Sequence, residues 1–237
     1  MKNVVSIVAL LAGTGVAQAG VSLAYWAFPD PVPPSADNFK ITWPLNADAK
    51  LLSGPAHITT NAAVWDGSAN PPNSMGQGSF QYFSGSSVNL QAPFTVGSRL
   101  SFRANTNLDS NGKSMTLRFD STGYKDIFFD FAERTTSSGP TNVALDLSSD
   151  GVNFTSFGGF ATTGDSTFRL RTIDFSSSSI LNNKAAAYVR FTMSGYSSAS
   201  GNIGFDNILV SGTFIPAPGA AAFALAGIAF AVRRRRV

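Results

Sequence analysis

Between Gly20 and Gly212 apolar side chains recur at every second position in short runs, and no helical apolar period outlasts a couple of turns. A period of two puts alternate residues on opposite faces of a strand, so each run needs a core on one side only. Lys125 to Glu133 places Ile127, Phe129 and Phe131 on one face, Thr141 to Leu147 places Val143, Leu145 and Leu147, and Ala187 to Met193 places Ala187, Val189, Phe191 and Met193. Met115, Leu117 and Phe119 alternate with Thr116, Arg118 and Asp120, and Phe168 and Leu170 alternate with Arg169 and Arg171. Turn chemistry recurs about every ten residues, at Asp109 to Gly112, Ser121 to Gly123, Ser137 to Pro140, Asp150-Gly151, Gly158-Gly159 and Gly195. The expected fold is all-β, an antiparallel β-sandwich over residues 20–213. Nine prolines between Pro29 and Pro93 interrupt the first half, which reads as loops and edge strands such as Val21 to Phe28 and Gly78 to Phe83.

Composition narrows the class further. With 43% hydrophobic and 13% charged residues, 20 Phe and no Cys, the body can build an apolar core, while disulfide frameworks and thiolate metal sites are excluded. The net charge of +3 belongs to the ends. Lys2 and Arg233 to Arg236 account for five of the 17 basic residues, leaving 12 against the 14 acidic ones, so the body is near −2. That balance does not suit a phosphate-tracking groove, and no nucleic-acid partner is expected.

Residues 1–19 carry one lysine, an apolar run from Val4 to Leu11 and the small residues Ala17 and Ala19, which together read as a secretory signal peptide that leaves Gly20 as the first mature residue. The other end, 214–237, has three parts in series. Ile215-Pro216-Ala217-Pro218-Gly219 stops any strand, Ala220 to Val232 is apolar on every side, and Arg233, Arg234, Arg235 and Arg236 follow. The apolar span with its Pro-Gly lead-in is expected to form a single transmembrane helix reaching roughly 27 Å, a little short of a ~30 Å bilayer core. The arginines would hold its end on the cytoplasmic side and the body outside.

This tail resembles the PEP-CTERM sorting signal of exopolysaccharide-secreting bacteria, with Ala217 standing where that family has glutamate. The resemblance implies an exosortase-like processing enzyme as partner, cleavage or transfer around Pro216 to Pro218, and a cell-surface or extracellular destination. An ordinary C-terminal anchor is the other reading. The segment from Arg134 to Gly212 resembles the extracellular jelly-roll modules of planctomycete-like PEP-CTERM proteins and, more distantly, carbohydrate-binding and discoidin-like sandwiches. Ser137-Ser-Gly-Pro140, Ser148 to Phe154 and Gly204-Phe-Asp-Asn-Ile208 carry it.

In such jelly rolls a structural calcium ion often lies between an Asp, an Asn and backbone carbonyls near the first and last strands. The resemblance therefore puts forward Asp206 and Asn207, which read equally as hydrogen-bonded strand residues. Exopolysaccharide or another envelope component is the expected ligand, and Trp65 and Tyr82 lead the aromatic candidates for contact with a glycan, ahead of Tyr124, Tyr188 and Tyr196. Catalysis finds little support. His57 is the only histidine and lies outside any nucleophile motif, and Glu133 is the only glutamate, with Asp130 or Asp146 as arbitrary carboxylate partners. Arg118, Asp130, Asp146, Arg169, Arg171 and Arg190 would line either a polar groove across one sheet or a solvated face. The expected function is a non-enzymatic, exported surface protein; an extracellular glycan hydrolase and a structural coat protein are the alternatives.

Overall fold

The computed structural model describes residues 20–29, 43–64, 79–104 and 110–216. These form fourteen strands and no helix: β1 (Val21–Trp26), β2 (Leu45–Asn46), β3 (Ala49–Lys50), β4 (His57–Thr60), β5 (Ala63–Val64), β6 (Ser79–Ser84), β7 (Ser98–Arg103), β8 (Ser114–Phe119), β9 (Tyr124–Thr135), β10 (Asn142–Ser148), β11 (Thr155–Ala161), β12 (Arg169–Asp174), β13 (Ala187–Ser194) and β14 (Asn202–Phe214). The first sheet runs β12-β9-β14-β7-β6-β5, with β1 also paired to β14 and β3 to β1. The second runs β11-β10-β13-β8-β4-β2. All pairings are antiparallel except β5 with β6. The expected signal peptide at 1–19 lies outside the described residues, as does the tail beyond Pro216. Among the described residues no helix is long and apolar enough to cross a membrane.

The two sheets pack face to face through the side chains that the alternation singled out. Ile127, Phe129 and Phe131 of β9 meet Met115, Leu117 and Phe119 of β8, Val143, Leu145 and Leu147 of β10, and Val189, Phe191 and Met193 of β13, all of them buried. Phe191 is the hub. Its ring lies 6.3 Å from Phe129, 5.7 Å from Phe131 and 5.9 Å from Phe205, all three on the opposite sheet. Offset and edge-to-face rings add about 0.5–1.5 kcal/mol per pair to the burial itself.

Three sequence expectations are corrected. β1 is no edge strand: it lies between β14 and β3, and Leu23 to Ala27 are all buried. Phe168 and Leu170 do not face the core. In β12 it is Arg171 and Ile173 that pair with the inward residues Phe131 and Phe129, so Leu170 turns outward and is 57% exposed, while Phe168 lies under the Arg99 guanidinium at 5.4 Å. Apolar residues stood at both parities of that run, and a one-residue choice reverses every side chain. Gly158-Gly159 is not a turn but a bulge site inside β11, where the register slips opposite Leu145 and Asp146. Gly158 has φ +120, and a Cβ on Gly159 would sit 2.3 Å from the Val143 carbonyl oxygen. The turn expected at Asp150-Gly151 is present, within a six-residue connection between β10 and β11. The Asp150 carboxylate accepts the Val152 and Asn153 N–H groups at 2.8 Å, and Gly151 supplies φ +77.

Truncating the hub should show how much the sheets depend on it. Phe191→Ala is expected to cost about 3–5 kcal/mol, read as a lowered urea midpoint with an unchanged slope.

Candidate functional site

On the outer face of the first sheet β1, β14 and β9 run side by side. Their register lines up Tyr25, Leu209, Asp130 and, on β12, Thr172. Ser22 and Ser211 face each other across β1 and β14. The loop 85–97 folds over this face and contributes Gln91, Ala92 and Phe94 as a wall. Between wall and strands lies a groove of about 440 Å³. Its lining mixes one carboxylate, one amide and three hydroxyls, those of Ser22, Tyr25 and Ser211, with the Phe94 ring, which leans on Tyr25 at 5.3 Å and 47°. Asp130 is oriented by the Thr172 hydroxyl, which donates to its Oδ1 at 2.5 Å.

The wall stands where it does because β14 is buried on both faces. Its inner side carries Phe205 and its outer side Asp206, each almost fully covered. A bulge after Asp206 puts Asn207 at φ +49, a left-handed position that Asn tolerates better than most residues. From there its amide Nδ2 donates to the carbonyls of Ser86 and Val88 at 2.9 and 2.8 Å, and its Oδ1 accepts the Tyr25 hydroxyl at 3.0 Å. Asn89 Nδ2 donates to the carbonyls of Asn207 and Asp130, and the Gln91 N–H donates to the Tyr25 oxygen at 3.0 Å. Burial pushes the Tyr25 hydroxyl up to about 12, aided by the Asp206 and Asp48 carboxylates and opposed by the Gln91 N–H.

Asp206 is 1% exposed. Its Oδ2 accepts the Ser86 N–H at 2.6 Å and its Oδ1 the Asn207 N–H at 2.9 Å. Desolvation pushes this carboxyl up to about 7, against the opposing pull of those two N–H groups and of the Arg99 guanidinium. Arg99 is itself held down to about 10, by burial first and by Arg134 second, while Asp206 pulls the other way. The donor set does not fit calcium. The Asn207 amide nitrogen occupies the two loop carbonyls that would serve a cation, the carboxylate and amide oxygens of the pair already accept N–H and O–H hydrogen bonds, and the charge that acts on Asp206 is the Arg99 guanidinium. Among the described residues no three His, Asp or Glu side chains gather.

The other sequence candidates scatter. Trp65 lies outside the described residues, as do Ala217, Pro218, Gly219 and the four terminal arginines. Tyr82 is half-buried on β6, against the core and Phe28, away from the groove. Tyr124 packs edge-on against Phe214, and Tyr196 is buried with its hydroxyl donating to the Phe102 carbonyl. Glu133 is buried at the rim of the core, where Arg171 holds its Oε2 at 2.5 and 3.1 Å and Thr135 donates to Oε1. The charged outer residues do not share one sheet. Arg118, Asp146 and Arg190 lie on the second and Asp130 on the first, while Arg171 points inward over Phe160. Tyr25, Gln91 and Phe94 were missed, since only tertiary contact sets one loop against one strand face. The nearest sequence signal was the Phe-Asp-Asn-Ile unit that anchors the loop.

No protein-family model matches the sequence and no curated protein matches it. Solved structures do align with the fold. The CBM22-1 xylan-binding domain of Paenibacillus barcinonensis Xyn10C covers 84% of this chain and 98% of its own, with 8% identity and a TM-score of 0.45. TmCBM61, solved with β-1,4-galactotriose, covers 67% of this chain and 89% of its own, with 12% identity and a TM-score of 0.38. The K3 cleaved adhesin domain of Lys-gingipain from Porphyromonas gingivalis covers 81% of this chain and 99% of its own, with 13% identity and a TM-score of 0.39. Carbohydrate-binding modules thus stand among the structures that this chain's course resembles, and no residue of the groove is carried over from them.

The buried carboxylate sets a pH dependence. A carboxyl raised from 3.8 to about 7 makes the folded state bind the extra proton in that interval. Stability therefore falls as pH rises from about 4 to about 7, by roughly 4 kcal/mol for this group, and levels off above. Asp206→Asn offers one acceptor to two N–H groups and should lower stability overall, yet its urea midpoint should lose most of that pH slope.

Proposed function

We propose that this chain is an exported surface protein whose sandwich, wound as a jelly roll, holds polysaccharide in the groove between the 85–97 loop and β1, β14 and β9. The observation that carries the reading is the company Phe94 keeps. A ring at the groove wall offers a face for sugar C–H groups, while Asp130, Gln91, Ser22 and Ser211 present acceptors and donors for hydroxyls around it. Such a lining holds a sugar rather than cleaving it. Hydrolysis takes two carboxylates on either side of the bond, roughly 5–9.5 Å apart. Asp130 is the one carboxylate among the lining residues, and Glu133, on the opposite face of β9, is committed to Arg171.

The ends complete the proposal. Residues 1–19 direct export, and 214–237 act as a sorting tail read by an exosortase-like enzyme, with Ala220 to Val232 spanning the membrane and Arg233 to Arg236 at the cytoplasmic side. The position of the tail's start supports this. The Ile215 N–H is pinned to the Gly123 carbonyl at 2.8 Å, closing the last strand, and Pro216 beyond it is exposed, so the tail leaves from the surface of the body.

Two measurements test the two halves of the reading. On an array of neutral and acidic polysaccharides the chain should bind at least one, and Phe94→Ala should weaken that binding about tenfold, the worth of one aromatic stack. Binding to nothing, or undiminished binding by the variant, overturns the groove. Deleting residues 215–237 should release the body into the medium; a truncated chain that stays as firmly cell-bound as the full one overturns the tail.

A further inference from the structure

The outer face of the second sheet carries a row of a different character. The register lines up Asn46, His57, Arg118, Tyr188 and Ser148 across five strands. Ile58, Leu117 and Val189, next to them in their strands, are fully buried in the core, so His57, Arg118 and Tyr188 point away from it. In the neighbouring row Arg190 is satisfied. It holds Asp146 at 3.0 and 3.1 Å and lies over the Phe154 ring at 4.0 Å. Arg118 has no such partner. Its guanidinium sits 5.9 Å from the Tyr188 ring centroid, its Nε is shut off from solvent without an acceptor, and among the described residues it makes no hydrogen bond or ion pair. The carboxylate two residues on, Asp120, accepts the Thr122 N–H and packs against Gly54 instead.

A half-buried guanidinium without a counterion is costly, and the cost is relieved by any anion that reaches it. His57 stands directly across from Arg118 on β4, its proton affinity lowered by burial first and by the Arg118 charge second. Two groups that repel as cations would both be served by one negative charge between them. A planar carboxylate matches the two-pronged guanidinium better than a single point charge does. We propose that Arg118 and His57 form a second binding site, on the face opposite the groove, for the carboxylate of a uronic acid unit in an acidic polysaccharide. The proposal rests on the polysaccharide reading above for the nature of the polymer, and on the unpaired charge alone for its sign. Tyr188 is a positioning residue. Gly151 packs on its ring, where a Cβ would come within 2.9 Å, and the ring backs the guanidinium.

His57 is the chain's only histidine, so its ring protons report without ambiguity. In the full chain at low salt, saturating trigalacturonate should raise the His57 pKa by about half a unit to one unit, because a nearby anion favours the imidazolium. Dextran should leave it unmoved, and high salt should erase the effect. Arg118→Gln should abolish the response and Arg118→Lys should keep part of it. If Arg118→Gln does not fold, the salt-sensitive difference between trigalacturonate and dextran on the unaltered chain still decides. The site is overturned by a wild-type His57 that ignores trigalacturonate, by a response that survives in folded Arg118→Gln, or by a response to dextran sulfate alone. Binding of a polysaccharide that depends on Phe94 and leaves His57 silent overturns this site and spares the groove; a His57 response without any Phe94-dependent binding does the reverse.

Discussion

Strand geometry allows a side chain only two directions, so whatever is forced into the core determines what its neighbours can do outside. Here Phe129, Phe131, Phe191 and Phe205 are drawn between the sheets, and their contacts across the interface lock the register of β9, β13 and β14. Two outward rows follow from that lock. Tyr25, Leu209, Asp130 and Thr172 align on one side of the sandwich, and His57, Arg118 and Tyr188 on the other. Neither row is a stretch of sequence. Each is the complement of a core that was selected for its own reasons.

β14 shows what happens where both directions are used at once. Its first half is covered inside by the core and outside by the 85–97 loop, so a carboxylate and an amide end up in a dry environment. The amide meets its needs with two loop carbonyls and the Tyr25 hydroxyl, and in doing so it fixes the wall of the groove. The carboxylate has two N–H donors and a guanidinium nearby, yet desolvation outweighs all three and leaves it titrating near neutrality. Through the Ser86 N–H the same carboxylate also holds the start of the segment that bounds the groove.

Much of the fold was open to reading beforehand. The inward faces of β8, β9, β10 and β13 were recognised because three or more apolar residues of each fall at every second position, Phe128 of β9 being the one large aliphatic or phenyl side chain at the other parity. β12 was read backwards because Leu170 and Ile173 lie at opposite parities, and pairing with Phe129 and Phe131 settled the choice. β1 looked peripheral among its prolines, although it is enclosed between β14 and β3. Asp206 and Asn207 were noticed both as hydrogen-bonded strand residues and as ligands for a cation, since a sequence does not say that the amide nitrogen of one of them would take the carbonyls a cation needs.

Local pattern by itself determined the class of the molecule: a period of two, punctuated by turn residues, yields strands whose one greasy side must be shared. The same string set the chemistry of the termini apart from that of the body, because apolar runs and charge clusters act over neighbouring residues. Which loop lies on which face, and hence that Phe94 comes to stand beside Asp130 and that Arg118 is left without a carboxylate, was decided only in three dimensions. Those relations join residues far apart along the chain, and their geometry depends on strand order and register, which no local run of residues encodes.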